Sequence, residues 1–397
     1  MGFDSGSVSF RRFAVTGAAP DAVQQEMLDR LSEHALRPTE LGVPQELEYG
    51  WSGGRHVLDD AFSFEHNVFA DALCFALRID SNKVPGELKK AYQIMEEEAF
   101  ARGNPSGFIS RKQKRDAKQI VQRKIEDEMR SGRFRRSKIV PILWDLVAGV
   151  LYCNASIKAE EQLHEIFERT FPGLTLQPLS AGALGLRMLE SRHKRRDYED
   201  LRPTRFVPGP EGESQQPEYP WVAKGPQAKD FLGNEFLLWL WQQADSHDGQ
   251  INIDQGSITV YFDRVLDLDC VFGQTGRDVL HGDGVTRMPE ALDALRSGKV
   301  PRKAGLVIES AGLMYSLTLG AESLACGSLK LPAVEDADNA RVLFEERVAL
   351  LRDFGKTLDA LYAAFLNVRA SGSWESHAGA IRKWIVQSSR KPVAAVA

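Results

Sequence analysis

RKQKRDAKQIVQRKIEDEMRSGRFRRSK, from Arg111 to Lys138, sets twelve Lys and Arg against four Asp and Glu in a chain whose formal net charge is −5. The stretch contains two kinds of local structure. From Arg111 to about Met129 it is rich in helix formers, and Ser131 and Gly132 then break the pattern. Past the break the chain becomes extended, so side chains alternate: Arg133 and Arg135 point one way, Phe134 and Arg136 the other. The stretch is thus a helix running into a strand.

The positive excess in an otherwise acidic chain points to a polyanionic partner. Nucleic acid is the first candidate, because each neutralised phosphate releases a condensed counterion. The plain alternative is the solvated face of a helix. Lys112, Arg115 and Gln119 share a helical face with Gln122 and Arg123, and Lys114, Lys118 and Val121 lie on an adjacent one. Candidate DNA contacts here are Lys112, Lys114, Arg115, Lys118, Arg123, Lys124, Arg133, Arg135, Arg136 and Lys138. Phe134, flanked by arginines, reads either as a contact to another molecule or as an ordinary core aromatic.

Toward the N-terminus, Val8 to Val15 reads as a strand. Pro20 and Asp21 open an amphipathic helix with Val23, Met27, Leu28 and Leu31 on one face. A turn-rich link follows around Tyr49, Gly50, Trp51, Gly53 and Gly54. Phe69 to Ile79 reads as a strand, and Glu87 to Phe100 as a helix after Pro85. Beyond the basic stretch come strands at Ile139 to Trp144 and Val150 to Asn154, a helix at Ile157 to Phe171 and a strand at Leu174 to Leu179. From Arg192 to Gln227 the chain turns Pro- and Gly-rich and reads as a linker or insertion. The expected organisation is an N-terminal half over 1–180, a linker over 181–230 and a C-terminal half over 231–397. The second half opens with an apolar helix, Phe231 to Gln242, then strands at Ser257 to Phe262 and Asp269 to Phe272. A helix at Pro289 to Arg296 follows, then a hairpin over Gly305 to Leu319 turning near Ala311 and Gly312. A helix from about Asn339 to Val368 closes the fold. Its length places it along a surface or against a second subunit.

The 397 residues, 43% hydrophobic and 26% charged, are ordinary for a globular protein able to bury real cores. No run of about 18 apolar residues and no secretory h-region is present, so no membrane partner is expected and the expected compartment is the cytoplasm. Cys74, Cys153, Cys270 and Cys326 sit in apolar stretches without CxxC or zinc spacing, as buried thiols in a reducing compartment would.

The succession of the YGW turn at Tyr49 to Trp51, a strand, a helix, a basic segment ending GRFRRSK, the pair ILWD and VAGVLYCNAS, a helix and LTLQPLS resembles the recombination-associated RdgC family. ALDALRSGKVPRKAGLVIESAGLMYSLTL in the second half resembles the helix, GKV turn and paired strands of that family. The resemblance covers most of 7–180 and about 285–320. It implies an α+β protein of antiparallel sheets with packed helices, forming a ring-shaped homodimer whose positive hole encircles double-stranded DNA without reading sequence, nucleoid-associated, restraining the RecA recombinase by occupying DNA. It implies that Phe134 inserts into a pocket of the second subunit, and that Lys299, with Arg302 and Lys303 beside it, faces the hole. Only Arg287 stands where the family has a further lysine.

The competing enzyme reading is a metal-dependent exonuclease. Such chemistry needs several carboxylates converging from strand ends. Asp263, Asp267 and Asp269 form the best group, Asp59, Asp60 and Glu65 a weaker one, and alternating carboxylates are more often a strand's wet face. No P-loop, nucleophile elbow or HExxH is present. No cofactor, metal or catalytic residue is assigned. A protein-interaction scaffold with an incidental basic helix is the third reading.

Overall fold

The computed structural model describes residues 2–37, 45–105, 107–210, 212, 215–225, 228–254, 256–334 and 339–387. The N-terminal half contains β1 (Val8–Thr16), α1 (Gln25–Glu33), β2 (Leu47–Ser52), α2 (Phe64–Asn67), β3 (Val68–Phe69) and β4 (Ala72–Asn82). Two long helices follow, α3 (Gly86–Arg102) and α4 (Arg111–Ser131), then β5 (Arg135–Asp145), β6 (Val150–Cys153), α5 (Ile157–Thr170) and β7 (Thr175–Pro178). After α6 (Ala181–Glu190) and α7 (Arg195–Asp200) come α8 (Phe231–Ser246), β8 (Gln250–Ile253), β9 (Gly256–Cys270), β10 (Asp278–Gly282) and α9 (Pro289–Arg296). The chain then runs through β11 (Lys299–Ser310), β12 (Leu313–Gly320), β13 (Cys326–Lys330), α10 (Ala340–Arg369) and α11 (Trp374–Gln387).

Among the described residues thirteen strands form one sheet, in the order β10-β9-β11-β12-β13-β1-β6-β5-β4-β2, with β3, β7 and β8 attached beside it. Every strand pair is antiparallel, as expected for an α+β chain. β1 joins the two halves: Val8 and Phe10 pair with Leu329 and Cys326 of β13, and Arg11 to Ala14 pair with β6. A core around Phe13, Trp51, Leu77, Trp144 and Phe167 fills the N-terminal half. A larger core unites Phe10 and Tyr152 with Phe236, Trp241, Leu306, Leu358 and Phe365, so the C-terminal core reaches across β1.

Several expectations change. The turn-rich link at Tyr49 to Trp51 is instead β2, where Gly50 is required because a Cβ would stand 2.7 Å from the Leu36 backbone nitrogen. The two strands expected over Ser257 to Phe272 are the single bulged β9, with Arg264 in a left-handed conformation at φ 57. α10 does not lie along a surface: Phe354, Leu358, Leu361, Tyr362 and Phe365 are buried and make it a core helix. The segment from Arg192 to Gln227 is no detached linker, since Tyr198, Leu201, Phe206 and Tyr219 pack into the larger core. Glu211, Glu213, Ser214, Pro226 and Gln227 lie outside the described residues. The hairpin turns at Ala311 and Gly312, at φ 51 and 78, where the sequence places it. The four cysteines are free thiols. Among the described residues, no helix is long and apolar enough to cross a membrane.

Candidate nucleic-acid interface

The basic stretch folds as expected, and its caps show why. Ser110 accepts from the Gln113 backbone, and the Gln113 side chain accepts from the Ser110 backbone, a capping box that starts α4. Gly132, at φ 69, ends it in the left-handed conformation favoured by glycine. The Arg135 backbone N–H then closes a turn onto the Gly132 carbonyl, and β5 begins at Arg135.

α3 and α4 pack as a helical hairpin. Ala117, Val121, Ile125 and Met129 recur every fourth residue and form the buried stripe of α4. Val121, Ile125 and Met129 meet Val84, with Leu88 and Tyr92 of α3 partly buried against them. Lys124 bonds to Glu96, Tyr92 Oη donates to Glu128 at 2.7 Å, and Arg133 stands 3.7 Å from Glu128. Lys124 therefore serves first to join the hairpin, whereas Arg133 is exposed and its acid belongs to α4 itself.

The remaining cations of α4 are differently placed. Arg111, Lys112, Lys114, Arg115, Lys118, Arg123 and Arg130 are exposed and make no ion pair among the described residues. Lys112, Arg115, Gln119, Arg123 and Arg130 follow the helical spacing opposite the buried stripe, a row about 27 Å long at 1.5 Å per residue. Arg136 and Lys138 on β5 are exposed and likewise unpaired among the described residues.

Arg135 departs from expectation. It donates to Asp80 Oδ2 at 2.8 Å and stands 3.5 Å from Glu48. Asp80 is buried and also takes a bidentate contact from buried Arg78, at 3.0 and 2.6 Å. Burial alone would raise the Asp80 pKa, but hydrogen bonds from Arg78, Ser137 and Arg135 outweigh it and hold the carboxyl below its ordinary value. Arg135 is thus a partner in a buried charge network rather than a free phosphate contact. The sequence signal was present: Arg78 and Asp80 are charges at the end of an otherwise apolar strand.

Phe134 is half-buried against the small cluster between α3 and α4, with the Arg133 guanidinium 5.6 Å from its ring centre. Phe134 lies in the turn between α4 and β5, with its ring against this cluster while Arg133 stays exposed.

The second-half candidates divide. Lys299 is buried and donates to Asp278 Oδ2 at 2.6 Å, so its charge does not face an open surface. Arg302 donates to Glu322 at 3.0 Å and to Asp269 at 3.4 Å and stacks 4.8 Å from the Trp221 ring centre. Lys303 alone is exposed and unpaired among the described residues. Bulging β9 does not gather Asp263, Asp267 and Asp269 into an open carboxylate site. Asp267 is buried in an ion pair with Arg277, Asp269 faces Arg302, and Asp263 lies 3.7 Å from Arg264. Among the described residues, no group of three or more His, Cys, Asp or Glu could hold a metal ion.

No protein-family model matches the chain, and no curated protein matches it.

Proposed function

We propose that this protein binds double-stranded DNA without reading sequence, through the outer face of α4 and the first residues of β5. The observation that carries this reading is the row of exposed cations on α4 that make no ion pair among the described residues, in a chain of net charge −5. A helix face that merely needs solvation is commonly laced with acids at i±4 spacing. Here α4 has four acids, Asp116 in its second turn and Glu126, Asp127 and Glu128 in its last turns, against eight Lys and Arg. Lys and Arg side chains of this kind meet phosphates and position a protein on the duplex, whereas reading bases calls for amide and guanidinium groups aimed into a groove.

The closed homodimer belongs to the same proposal, as does restraint of a recombinase such as RecA by occupying its DNA. Support for a second subunit comes from α3, which buries none of its residues and exposes Ile94 and Met95. It does not come from Phe134, which already has neighbours in its own chain. The deciding experiment is a mobility shift of duplex DNA with and without magnesium, paired with a native mass measurement. Retention without degradation supports the reading. Magnesium-dependent loss of the duplex would favour a nuclease, and no shift would leave a scaffold.

A further inference from the structure

A cavity of about 400 Å³ lies where β1, β6, α6 and α10 meet, well separated in sequence from the basic hairpin. Its charged wall consists of Arg12, Arg187, Arg352 and Lys356, with Asp359 as the one acid lining it. Val150, Leu179, Leu184 and Met188 supply an apolar side. An apolar side with a few polar groups, at this volume, is the make-up of a small-ligand site.

The decisive residue is Arg12. It is only 3% exposed, yet its Nε and Nη2 have no hydrogen-bond partner. Nη1 stands 2.8 Å from Asp359 Oδ1 but off the line of a hydrogen bond. A buried guanidinium with unspent donors is costly, and such orphans usually mark a missing water, ion or ligand. The neighbouring cations are not equally in need. Arg352 is fully engaged by Asp145, at 2.7 and 3.0 Å, and by the Ala70 carbonyl. Lys356 pairs with Asp353 at 3.2 Å. Arg187 is exposed and forms no ion pair among the described residues, leaving its charge over the cavity uncompensated.

Gly355 also lines the cavity. It sits inside a 30-residue helix, where glycine costs about 1 kcal/mol relative to alanine. A Cβ there would come within 3.1 Å of Tyr152 Oη, so the glycine lets α10 approach β6 closely beside the cavity.

We propose that the cavity is a binding site for a small phosphate monoester of about mononucleotide size. Arg12 and Arg187 hold the phosphate, and the apolar side takes the organic portion. A guanidinium fork matches two oxygens of a phosphate, and such charge-assisted pairs are about twice as strong as neutral hydrogen bonds. The site is independent of the DNA-binding reading, since none of its residues belongs to α4 or β5's first turn.

The test is isothermal titration calorimetry on the full chain with adenosine monophosphate, inorganic phosphate and adenosine as probes. Adenosine monophosphate is expected to bind, inorganic phosphate to compete with it, and adenosine to bind far more weakly. Arg187→Gln, at an exposed position, should leave the ligand-free melting temperature unchanged and weaken the nucleotide about tenfold or more. Arg12→Lys keeps the charge beside Asp359 but removes the fork, and should abolish binding. If Arg12→Lys fails to fold, Arg187→Gln decides alone. Displacement of the nucleotide by a 5′-phosphorylated oligonucleotide but not by its 5′-hydroxyl form would keep the site and assign its phosphate to a nucleic-acid end. No binding at about 10 mM nucleotide, equal affinity for adenosine, or an unchanged affinity in Arg187→Gln overturns the proposal.

Discussion

Arg135 and Asp80 are not opposite each other in the sheet, yet they are joined. Arg135 pairs in the ladder with Asn82, while its guanidinium reaches along β4 to Asp80 Oδ2 at 2.8 Å. One arginine of the basic run thereby has its charge engaged by a buried carboxylate of the sheet, which separates the roles of neighbours that look alike in sequence.

Asp80→Asn is therefore expected to destabilise the fold by about 3 to 5 kcal/mol, because it leaves buried Arg78 without its counter-charge. Denaturant unfolding monitored by circular dichroism measures this. A loss under about 1 kcal/mol would show that Arg78 finds another partner.

The same network sets an acid limit. The folded-state pKa of Asp80 is lowered, so its contribution is fully present above the ordinary carboxylate value near 4 and is lost as pH falls through the lowered one. Wild-type stability should fall below about pH 4 more steeply than that of Asp80→Asn, which has no such proton to take up. Parallel acid-unfolding curves for the two proteins would contradict the assignment.

DNA affinity should fall steeply with salt. If about six phosphates are neutralised, log K against log salt has a slope near −5. Replacing Lys112, Arg115 and Arg123 together by Ala should reduce that slope by about 3 and leave the melting temperature within a degree or two, since exposed charges contribute little to stability. An unchanged slope would move the contact elsewhere.

Lys299→Ala should do the reverse. Its buried contact to Asp278 makes a stability loss of about 2 kcal/mol the expected outcome, with DNA affinity unchanged. Fluorescence-anisotropy titration of a labelled duplex beside a melting curve separates the two effects, and a large loss of affinity in a stable variant would restore Lys299 to the interface.

Phe134→Ala should cost about 1 to 2 kcal/mol, less than the 3 to 5 typical of a fully buried phenylalanine, because the ring is half-buried. Analytical ultracentrifugation should show an unchanged monomer–dimer equilibrium. A shift toward monomer without loss of stability would return the ring to a subunit contact.

Much of the fold was legible where local chemistry decides it. Ser110 and Gln113, Gly132, Pro289 and the Ala311–Gly312 turn fix α4, α9 and the β11–β12 hairpin within a few residues. What was not legible depends on residues far apart in the chain. Tyr49 to Trp51 read as a turn because of its glycines, but Gly50 is there so that Leu36 can approach β2. Asp263 to Asp269 read as a break between strands, and a bulge at Arg264 carries the ladder through it. The charge of the basic run was plain, while the acids that occupy Arg135, Lys124 and Lys299 come from β4, α3 and β10, and no local pattern announces them. The Arg12 cavity was invisible for the same reason, since its walls come from elements on both sides of the Arg192 to Gln227 segment.

Among the described strands, β1 is synthesised before all the others and β13, its partner at Val8 and Phe10, after them. Throughout synthesis the N-terminal half must therefore carry an unfinished sheet edge beside two side chains that end up buried. Closing so distant a pairing is slow, and an open strand edge is a template for pairing with other chains. A nascent or truncated chain that lacks β13 is thus the form of this protein most exposed to aggregation, and shielding that edge is what a chaperone would have to do for it.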